Sequence, residues 1–276
     1  MQLTGRKALI TGAGSGIGRA LALRLADHGG ALVLTGRRSQ PLHETARLVQ
    51  ARGGTARVIP ADLADPAVPA RLAEQAAAAL GGLDLLVNNA GNVRAGELEA
   101  IGEDDIQAMV AVDLLAALLL TRAALPHLRA AAHATGGVHG SAAIVGISSG
   151  IALVGLPYYA VYAGVKAGLA RFDEALRREL HGTGIYVATA YPGATATPMM
   201  DTNAAGDDVG FGRRGVEEVA DAIADGLREG LPEINTASAG RRSMQDLNRT
   251  DPAAVDEKLA PLLPRLRQAV SGHRSM

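Results

Sequence analysis

The sequence contains no cysteine and no tryptophan, and only two of its 276 residues are phenylalanine. A chain without cysteine forms no disulfide and offers no thiolate to a metal ion, which is compatible with a reducing compartment. The formal net charge is −1, so no excess of positive charge attracts nucleic acid or an anionic membrane. The first residues lead directly into a strand pattern without a secretory signal. We therefore expect a cytoplasmic protein that does not bind nucleic acid.

Long apolar runs are also missing. The longest one, residues 109–120, contains Asp113 and ends before Arg122. A membrane-spanning helix needs about 20 consecutive apolar residues. We therefore expect a buried helix in this region and no membrane span.

Short apolar runs of strand length alternate with helical patterns along most of the chain. This alternation is typical of a parallel sheet with helices on both faces. It predicts one doubly wound α/β domain, residues 1–239, with a mostly parallel seven-stranded sheet. The predicted strands are residues 8–11, 31–35, 58–61, 84–87, 142–148, 185–191 and 233–236. The first helix is expected to begin at Arg19, and a long helix is expected over residues 103–131.

The last segment, residues 240–276, differs from the rest. It is first polar and basic, and then carries apolar residues at near-helical spacing. Pro261 and Pro264 interrupt that spacing, so one straight helix is excluded. We predict a helical extension that docks on the body of the protein or on a neighbouring subunit; a contact with a membrane or another partner stays open. The apolar positions are Leu259, Leu262, Leu263, Leu266 and Val270.

A glycine-rich turn follows the first predicted strand. Between a strand and a helix, such a turn offers backbone N–H groups and the positive helix end to a pyrophosphate. The usual G-x-G-x-x-G spacing does not fit, because Ile17 and Arg19 occupy the positions that a third glycine would need. A purely structural glycine turn is the alternative, but the surrounding strand–helix–strand pattern favours a Rossmann-type nucleotide site. The turn reads Thr11-Gly12-Ala13-Gly14-Ser15-Gly16-Ile17-Gly18.

A possible acid–base pair lies on the helix predicted over residues 158–181. Tyr162 and Lys166 are four residues apart, so they share one helix face. A neighbouring ammonium favours the phenolate and would lower the pKa of Tyr162 from about 10. The pair could then exchange a proton with a carbonyl or alcohol oxygen, and Ser149 could hold that oxygen. The alternative is two unrelated residues on an amphipathic helix.

Further motifs follow these two in a fixed order. Among the neighbouring tyrosines, only Tyr162 has a lysine four residues on. With these motifs the chain resembles the classical short-chain dehydrogenase/reductase (SDR) family from Leu3 to about Ile234. Ser149, not Ser148, has the spacing to Tyr162 that is usual in this family. The motifs are the turn at residues 11–18, Asp62-Leu63, Asn88-Asn89-Ala90-Gly91, Ser149, Tyr162-x-x-x-Lys166 and Pro192-Gly193-x-x-x-Thr197.

The resemblance implies hydride transfer between a nicotinamide and a carbonyl or secondary alcohol. It implies that the cofactor carries out the hydride step and that Ser149, Tyr162 and Lys166 act on the substrate oxygen. Lys166 is also expected to hold the nicotinamide ribose. The other residues expected at the cofactor are Gly12, Ser15, Gly16, Ile17 and Gly18 at the pyrophosphate, Asp62 and Leu63 at the adenine, Asn89 and Ala90 at the adenosine ribose, Pro192, Thr195 and Thr197 at the carboxamide, and also Gly91, Tyr162 and Gly193.

The end of the second strand bears on the choice between NADP(H) and NAD(H). An NAD enzyme usually places an acid there to accept from the ribose 2′-hydroxyl. This chain has Arg37 and Arg38 instead, which would pair with a 2′-phosphate. Ser15 argues the other way, because many NADP-using relatives carry a basic residue there. We predict NADP(H) in preference to NAD(H).

One position departs from the family pattern. The family usually has an asparagine on the long helix, where this chain has Asp113. An ionised aspartate only accepts hydrogen bonds, whereas asparagine also donates them. In relatives this residue helps hold a water that passes protons to the lysine. Asp113 could accept from such a water and pair with Lys166 through it, so we expect catalysis to be intact, with an altered pH dependence or weakened catalysis as the alternatives.

We therefore predict a soluble NADP(H)-dependent oxidoreductase with a small-molecule carbonyl or alcohol substrate. The segment after the sixth strand, residues 199–215, would form a lid, with Met199, Met200, Val209 and Phe211 indicating a partly apolar substrate. No metal site is expected, since His133 and His139 have no acidic or cysteine neighbours.

The resemblance also implies a homodimer or homotetramer through the long helix and the helix of Tyr162. Two other functions remain open. One is a nucleotide-binding sensor or scaffold without turnover, which Asp113 and the unusual tail would explain. The other is a reductase that the tail recruits to a membrane.

Overall fold

Seven strands form one sheet in the order β3-β2-β1-β4-β5-β6-β7. The computed structural model describes residues 1–206 and 212–275. Every pairing between neighbouring strands is parallel, which confirms the predicted parallel seven-stranded sheet. The strands are β1 Lys7–Thr11, β2 Ala31–Gly36, β3 Thr55–Pro60, β4 Leu85–Asn88, β5 Ala142–Ile147, β6 Ile185–Tyr191 and β7 Glu233–Asn235.

Helices cover both faces of this sheet, as predicted. One face packs against α1, α2 and α7, and the other against α3, α5 and α6, which gives two apolar cores. Both faces are covered because the central strands are apolar at nearly every position. The helices of the body are α1 Gly16–Ala26, α2 Ser39–Ala51, α3 Val68–Leu80, α4 Glu103–Val110, α5 Ala116–Ala134, α6 Ala160–Glu179 and α7 Val216–Glu229.

The first helix begins earlier than predicted. It starts at Gly16, not at Arg19. The amide of Arg19 already donates to the carbonyl of Ser15 at 3.2 Å, so the first helical turn runs through the glycine motif itself. Glycine permits this because Gly16 has φ +53°, where a side chain is disfavoured. The free N–H groups of the first turn therefore lie at the end of β1.

The predicted long helix is continuous, but a π-helical segment, Ala111–Leu115, separates α4 from α5. Such segments often occur at functional sites, and this one carries Asp113. In the described part of the chain, only the run Glu103–Ala134 is long and apolar enough to cross a membrane. Leu120, Ala124 and Leu128 are nevertheless buried in the core that contains α3, which is the environment of a core helix.

Three more helices follow the sheet: α8 Ala239–Thr250, α9 Pro252–Leu259 and α10 Leu263–Val270. They pack on the body of the same chain. Val255 and Leu259 contact the cluster around Val154, and Leu266 and Val270 pack in a cluster with Val93 and Tyr159.

After α10 comes a short segment, residues 273–275, which we call the C-terminal strap. The amide of Ala95 donates to the carbonyl of His273 at 3.1 Å, and the amide of Ser275 donates to the carbonyl of Val93 at 3.0 Å. These bonds join the strap in antiparallel fashion to the loop after β4. A domain boundary at residue 239 stays a prediction.

Candidate active site

One groove of about 590 Å³ lies over the carboxyl ends of the central strands. Strand order reverses at β1, which lies between β2 and β4. In open α/β sheets, ligands bind at such a reversal. The groove brings together nearly all residues predicted at the site, from the glycine turn to Thr197. Gly18 is absent from the lining and Asp113 lies behind it.

The glycine turn packs against the end of β4 without room for side chains. A Cβ on Gly18 would lie 2.4 Å from Asn89 Nδ2 and 2.5 Å from the Gly12 carbonyl oxygen. Asn89 Nδ2 donates to the Thr11 carbonyl at 2.8 Å. Thr11 Oγ1 accepts from the amides of Asn89 and Ala90, both at 2.8 Å. The side-chain amide of Asn89 thus holds the glycine turn in place, a role that the sequence did not indicate.

The residues of this region fit a dinucleotide. Backbone N–H groups of the first α1 turn line the groove at Gly16 and Ile17, and the Ser15 side chain does not cap them. Such groups bind phosphate. Arg37 and Arg38 line the groove beside β2 and are exposed.

The ends of β3 and β6 bound the same part of the groove. Asp62 is exposed at the end of β3, and the Leu63 beside it is buried. At the end of β6, Thr195 is buried and its hydroxyl donates to the Gly193 carbonyl at 2.9 Å. A Cβ on Gly16 would lie 3.1 Å from the Thr197 methyl group, so this segment closes tightly over the glycine turn.

The proposed acid–base residues lie together in the middle of the groove. Lys166 is 3% exposed, and its Nζ lies 5.7 Å from the centre of the Tyr162 ring. Nζ also donates to the carbonyl of Ile147 at 3.2 Å. Ser149 and Tyr162 line the same groove, and the Ser149 Oγ accepts from the amide of Ile151 at 3.3 Å. The end of β5 and one face of α6 therefore bring these three side chains to one point.

Asp113 contacts the lysine directly. The carboxylate is 1% exposed, and its Oδ2 lies 3.3 Å from Lys166 Nζ. Its Oδ1 accepts from the amide of Asn92 at 2.7 Å. From the sequence we expected Asp113 and Lys166 to pair through a water, whereas the structure has a direct ion pair between them. A Cβ on Gly91 would lie 2.8 Å from Asp113 Oδ2 and 3.2 Å from Lys166 Nζ, so only glycine fits there.

The charges of this cluster oppose one another. Burial, the largest effect, and Asp113 raise the pKa of Tyr162, whereas Lys166 and Ser149 lower it. The net result is a pKa above the ordinary value of tyrosine. The expected effect of the lysine is present but is outweighed by burial. Burial lowers the pKa of Lys166, but Asp113 and Tyr162 raise it above its ordinary value. At neutral pH the phenol is therefore protonated and the lysine is charged.

A second carboxyl group is buried close by, and sequence reasoning missed it. Asp173 lies on α6, is 1% exposed, and accepts from the Thr189 hydroxyl at 3.1 Å. Burial raises its pKa to about 7, against the lowering effects of Thr189 and Lys166. A Cβ on Gly146 would lie 2.0 Å from its Oδ2. The absence of that side chain on β5 makes room for the carboxyl group.

The other end of the groove is formed by side chains from three distant segments. Ile151, Val154 and Leu156 follow β5, Met199 and Met200 follow β6, and Arg241, Gln245 and His273 come from the C-terminal extension. Val209 and Phe211, which were predicted as lid anchors, lie outside the described residues. No group of His, Asp or Glu suited to a metal ion occurs in the described part of the chain.

His273 connects the strap to this end of the groove. It is 2% exposed, and its Nδ1 lies 2.7 Å from the Tyr159 hydroxyl. Its Nε2 lies 3.0 Å from the Met199 carbonyl, which can only accept a hydrogen bond. Nε2 therefore carries the proton and Nδ1 accepts from Tyr159, whose oxygen in turn accepts from Asn203 at 2.8 Å. No sequence pattern pointed to this contact.

Together the wholly parallel sheet, the strand-order reversal and the glycine turn define a nucleotide-binding α/β fold of the Rossmann type. The sequence profile described as short chain dehydrogenase matches residues 6–208. The chain belongs to this family of oxidoreductases, which act on small molecules.

Individual relatives agree with this assignment. A ketoacyl reductase, HetN, of Nostoc sp. is 32% identical over 84% of this chain and 78% of its own length. A short chain dehydrogenase from Burkholderia cenocepacia, solved in complex with NADP, is 32% identical with a TM-score of 0.75, covering 85% of this chain and 96% of that one. A family member from Burkholderia phymatum, solved with NAD, has the same fold at 24% identity, with a TM-score of 0.80 over 92% of this chain and 96% of that one.

Proposed function

We propose that this chain is an NADP(H)-dependent oxidoreductase that interconverts a carbonyl and a secondary alcohol, with Tyr162 as the proton donor and acceptor. The observation that carries the proposal is the buried ammonium of Lys166, which lies 5.7 Å from the centre of the Tyr162 ring in a groove that Ser149 also lines. All three groups face one groove that also contains the glycine turn.

Cofactor binding, substrate binding and proton transfer would fall to different residues of the groove. The N–H groups at Gly16 and Ile17 would bind the pyrophosphate, and Lys166 the nicotinamide ribose. A bound nicotinamide supplies or accepts the hydride. Ser149 would hold the substrate oxygen by a hydrogen bond, and Tyr162 would transfer the proton to or from that oxygen.

The charges favour the reductive direction near neutral pH. Burial and Asp113 raise the pKa of Tyr162 more than Lys166 and Ser149 lower it. A phenol that keeps its proton can give it to a developing alkoxide, whereas alcohol oxidation needs the phenolate. Oxidation is therefore expected to require a higher pH than reduction.

The preference for NADP(H) is supported by two arginines and by one relative. Arg37 and Arg38 lie exposed along the groove after β2, where they could pair with the 2′-phosphate of NADP(H). The NADP-bound relative from B. cenocepacia is the more similar of the two cofactor complexes in sequence, at 32% against 24% identity.

A homodimer or homotetramer is part of the same proposal. Val110 and Leu115 on the long helix are 41% and 42% exposed, which provides an apolar contact surface. Light scattering on the purified protein tests it, and a monomer at micromolar concentration would rule it out.

The direct test is a panel of carbonyl compounds read by NADPH absorbance, with Tyr162→Phe as the blank. We expect turnover of at least one ketone by the wild type and none above background by the variant. The sensor or scaffold alternative predicts NADPH binding by both proteins and turnover by neither.

A further inference from the structure

Helix α8 presents two polar side chains to the substrate end of the groove. Arg241 and Gln245 are one helical turn apart, and both line the groove. Gln245 is only 7% exposed. A buried amide group is normally fully hydrogen-bonded, because leaving a donor without an acceptor is unfavourable.

The orientation of the Gln245 amide follows from a chain of hydrogen bonds. The amide N–H of Ala237 donates to Asn235 Oδ1 at 3.0 Å. Since Oδ1 accepts there, the other end of the Asn235 side chain must be its NH₂ group. That group donates to Gln245 Oε1 at 2.7 Å. Gln245 Nε2 is therefore the opposite end, with two N–H donors. Within residues 1–206 and 212–275, no acceptor takes a hydrogen bond from it.

Nε2 lies close to Gly150, the residue that follows Ser149. A methyl group placed on Gly150 would be 3.4 Å from Nε2 and 3.4 Å from the Pro192 carbonyl oxygen. Gly150 directly follows Ser149, and its amide donates to that same carbonyl at 2.8 Å. Nε2 is thus close to the segments that follow β5 and β6, next to the residue that follows Ser149 in the chain.

We propose that Gln245 is a substrate-positioning residue whose Nε2 donates a hydrogen bond to a second oxygen of the substrate, an acyl oxygen close to the reacting carbonyl. The proposal rests on the function proposed above. It names the substrate class as oxo-acyl compounds, in which an ester, thioester or carboxylate lies near the ketone. Arg241 on the same helix face adds positive charge, which favours the carboxylate members of the class.

The test compares two substrates of the same shape. Ethyl 3-oxobutanoate and heptan-2-one have chains of equal length, but only the ester has a second acyl oxygen. Gln245→Glu keeps an acceptor for Asn235 and nearly the same volume, yet its ionised side chain cannot donate. We expect the ratio of the KM values, ester over ketone, to rise about tenfold in this variant and in Gln245→Leu. Because Gln245 does not touch the reacting carbon, kcat should change less than about threefold.

Controls separate a positioning role from a structural one. Ser243→Ala, on the exposed face of α8, should leave the KM ratio and the melting temperature unchanged. The dissociation constant of NADPH should be the same in all variants. Parallel changes of both KM values, or no change of their ratio, would overturn the inference while leaving the proposed function intact.

A further pair of substrates distinguishes the members of the class. For 3-oxobutanoate, Gln245→Glu should raise KM more than it does for the ester, because like charges repel. Arg241→Gln should affect only the charged compound. If neither ester nor ketone is turned over, the hydrogen bond is measured instead as the shift in melting temperature that the ester causes in the NADP⁺-bound protein. An equal shift in wild type and Gln245→Glu would then exclude the contact.

Discussion

The two ends of the groove are built in different ways. The cofactor end consists mainly of backbone: the glycine turn, the start of α1 and the ends of neighbouring strands. The substrate end consists of side chains from after β5, from after β6 and from the C-terminal extension. Backbone recognition tolerates little change in shape, because a single Cβ at Gly18 meets two neighbours below 3 Å. Side-chain recognition can be altered one group at a time.

The two ends of the groove also differ in how their polar side chains are held in place. At the cofactor end, Arg37 and Arg38 are exposed and free to meet a charged ligand. At the substrate end, His273 and Gln245 are buried, and their orientations are set by hydrogen bonds to other residues. Buried, oriented groups discriminate well between ligands, because a ligand that cannot pair with them leaves them unsatisfied. We therefore expect affinity for the cofactor and selectivity for the substrate to respond to different substitutions.

The largest effect is expected at the boundary between the two ends. Tyr162→Phe removes the proposed proton donor but keeps the ring, so kcat should fall by about 10²–10⁴-fold. The dissociation constant of NADPH should change little, since the phenol hydroxyl adds only part of the contacts at the cofactor. Stopped-flow turnover and fluorescence titration measure the two quantities. A variant with more than a tenth of wild-type kcat would exclude Tyr162 from the chemistry.

The next largest effect should be confined to the cofactor end. In Gly18→Ala the new Cβ would lie 2.4 Å from Asn89 Nδ2, so the turn must shift. A displacement of about 1 Å is enough to reduce activity by about 100-fold. NADPH affinity, measured by calorimetry, should fall accordingly. Gly164→Ala on exposed α6 surface, where nothing lies within 4 Å of a Cβ, is the matched control.

Cofactor preference should respond to a single charge. Arg37→Glu would replace a pairing group with one that repels a 2′-phosphate, and a charged hydrogen bond contributes about 1.5–3 kcal/mol. The ratio of NADPH to NADH dissociation constants should therefore shift by about 10–100-fold toward NADH. Arg47→Glu, exposed on α2 outside the groove, should leave the ratio unchanged. A wild type that already binds NADH more tightly would contradict the preference itself.

Asp113→Asn should change the pH dependence more than the maximum rate. Asp113 raises the pKa of Tyr162, so removing its charge should lower that pKa and move the rise of alcohol oxidation to lower pH by about one unit. The folded protein tolerates asparagine at this place because its oxygen can still accept from Asn92. Rate profiles between pH 6 and 10 test this, and superimposable curves would mean that the ion pair has no influence on the phenol.

The smallest effect is expected in the strap. Burial lowers the pKa of His273 from its ordinary value of 6.5. The folded state therefore binds this proton more weakly than the unfolded chain, so stability is lost as the pH falls below about 6.5. His273→Gln should remove part of this acid sensitivity while raising the substrate KM by about threefold at pH 7.5. Melting curves from pH 5 to 8 measure the acid sensitivity of wild type and variant. Equal sensitivity in both proteins would exclude His273 as its source.

Sequence reasoning succeeded where the chemistry is local. The strand–glycine turn–helix unit was recognisable because all its parts lie within a few residues, and the helix start was misplaced by only one turn. It failed at Asp173, whose carboxyl group is buried only because Gly146 on a different strand leaves room for it. It also failed at Gln245 and His273, which carry no motif.

The sequence by itself determined the alternating architecture, the family, and the placing of Tyr162 and Lys166 on one helix face, because periodicity and spacing within a helix or turn require no knowledge of distant residues. Tertiary structure alone decided that Asp113 touches Lys166, that burial outweighs the effect of Lys166 on the pKa of Tyr162, and that residues 273–275 line the substrate end. These depend on burial and on contacts between segments up to 182 positions apart, as in the bond from Val93 to Ser275. Such contacts arise only when the whole chain has packed.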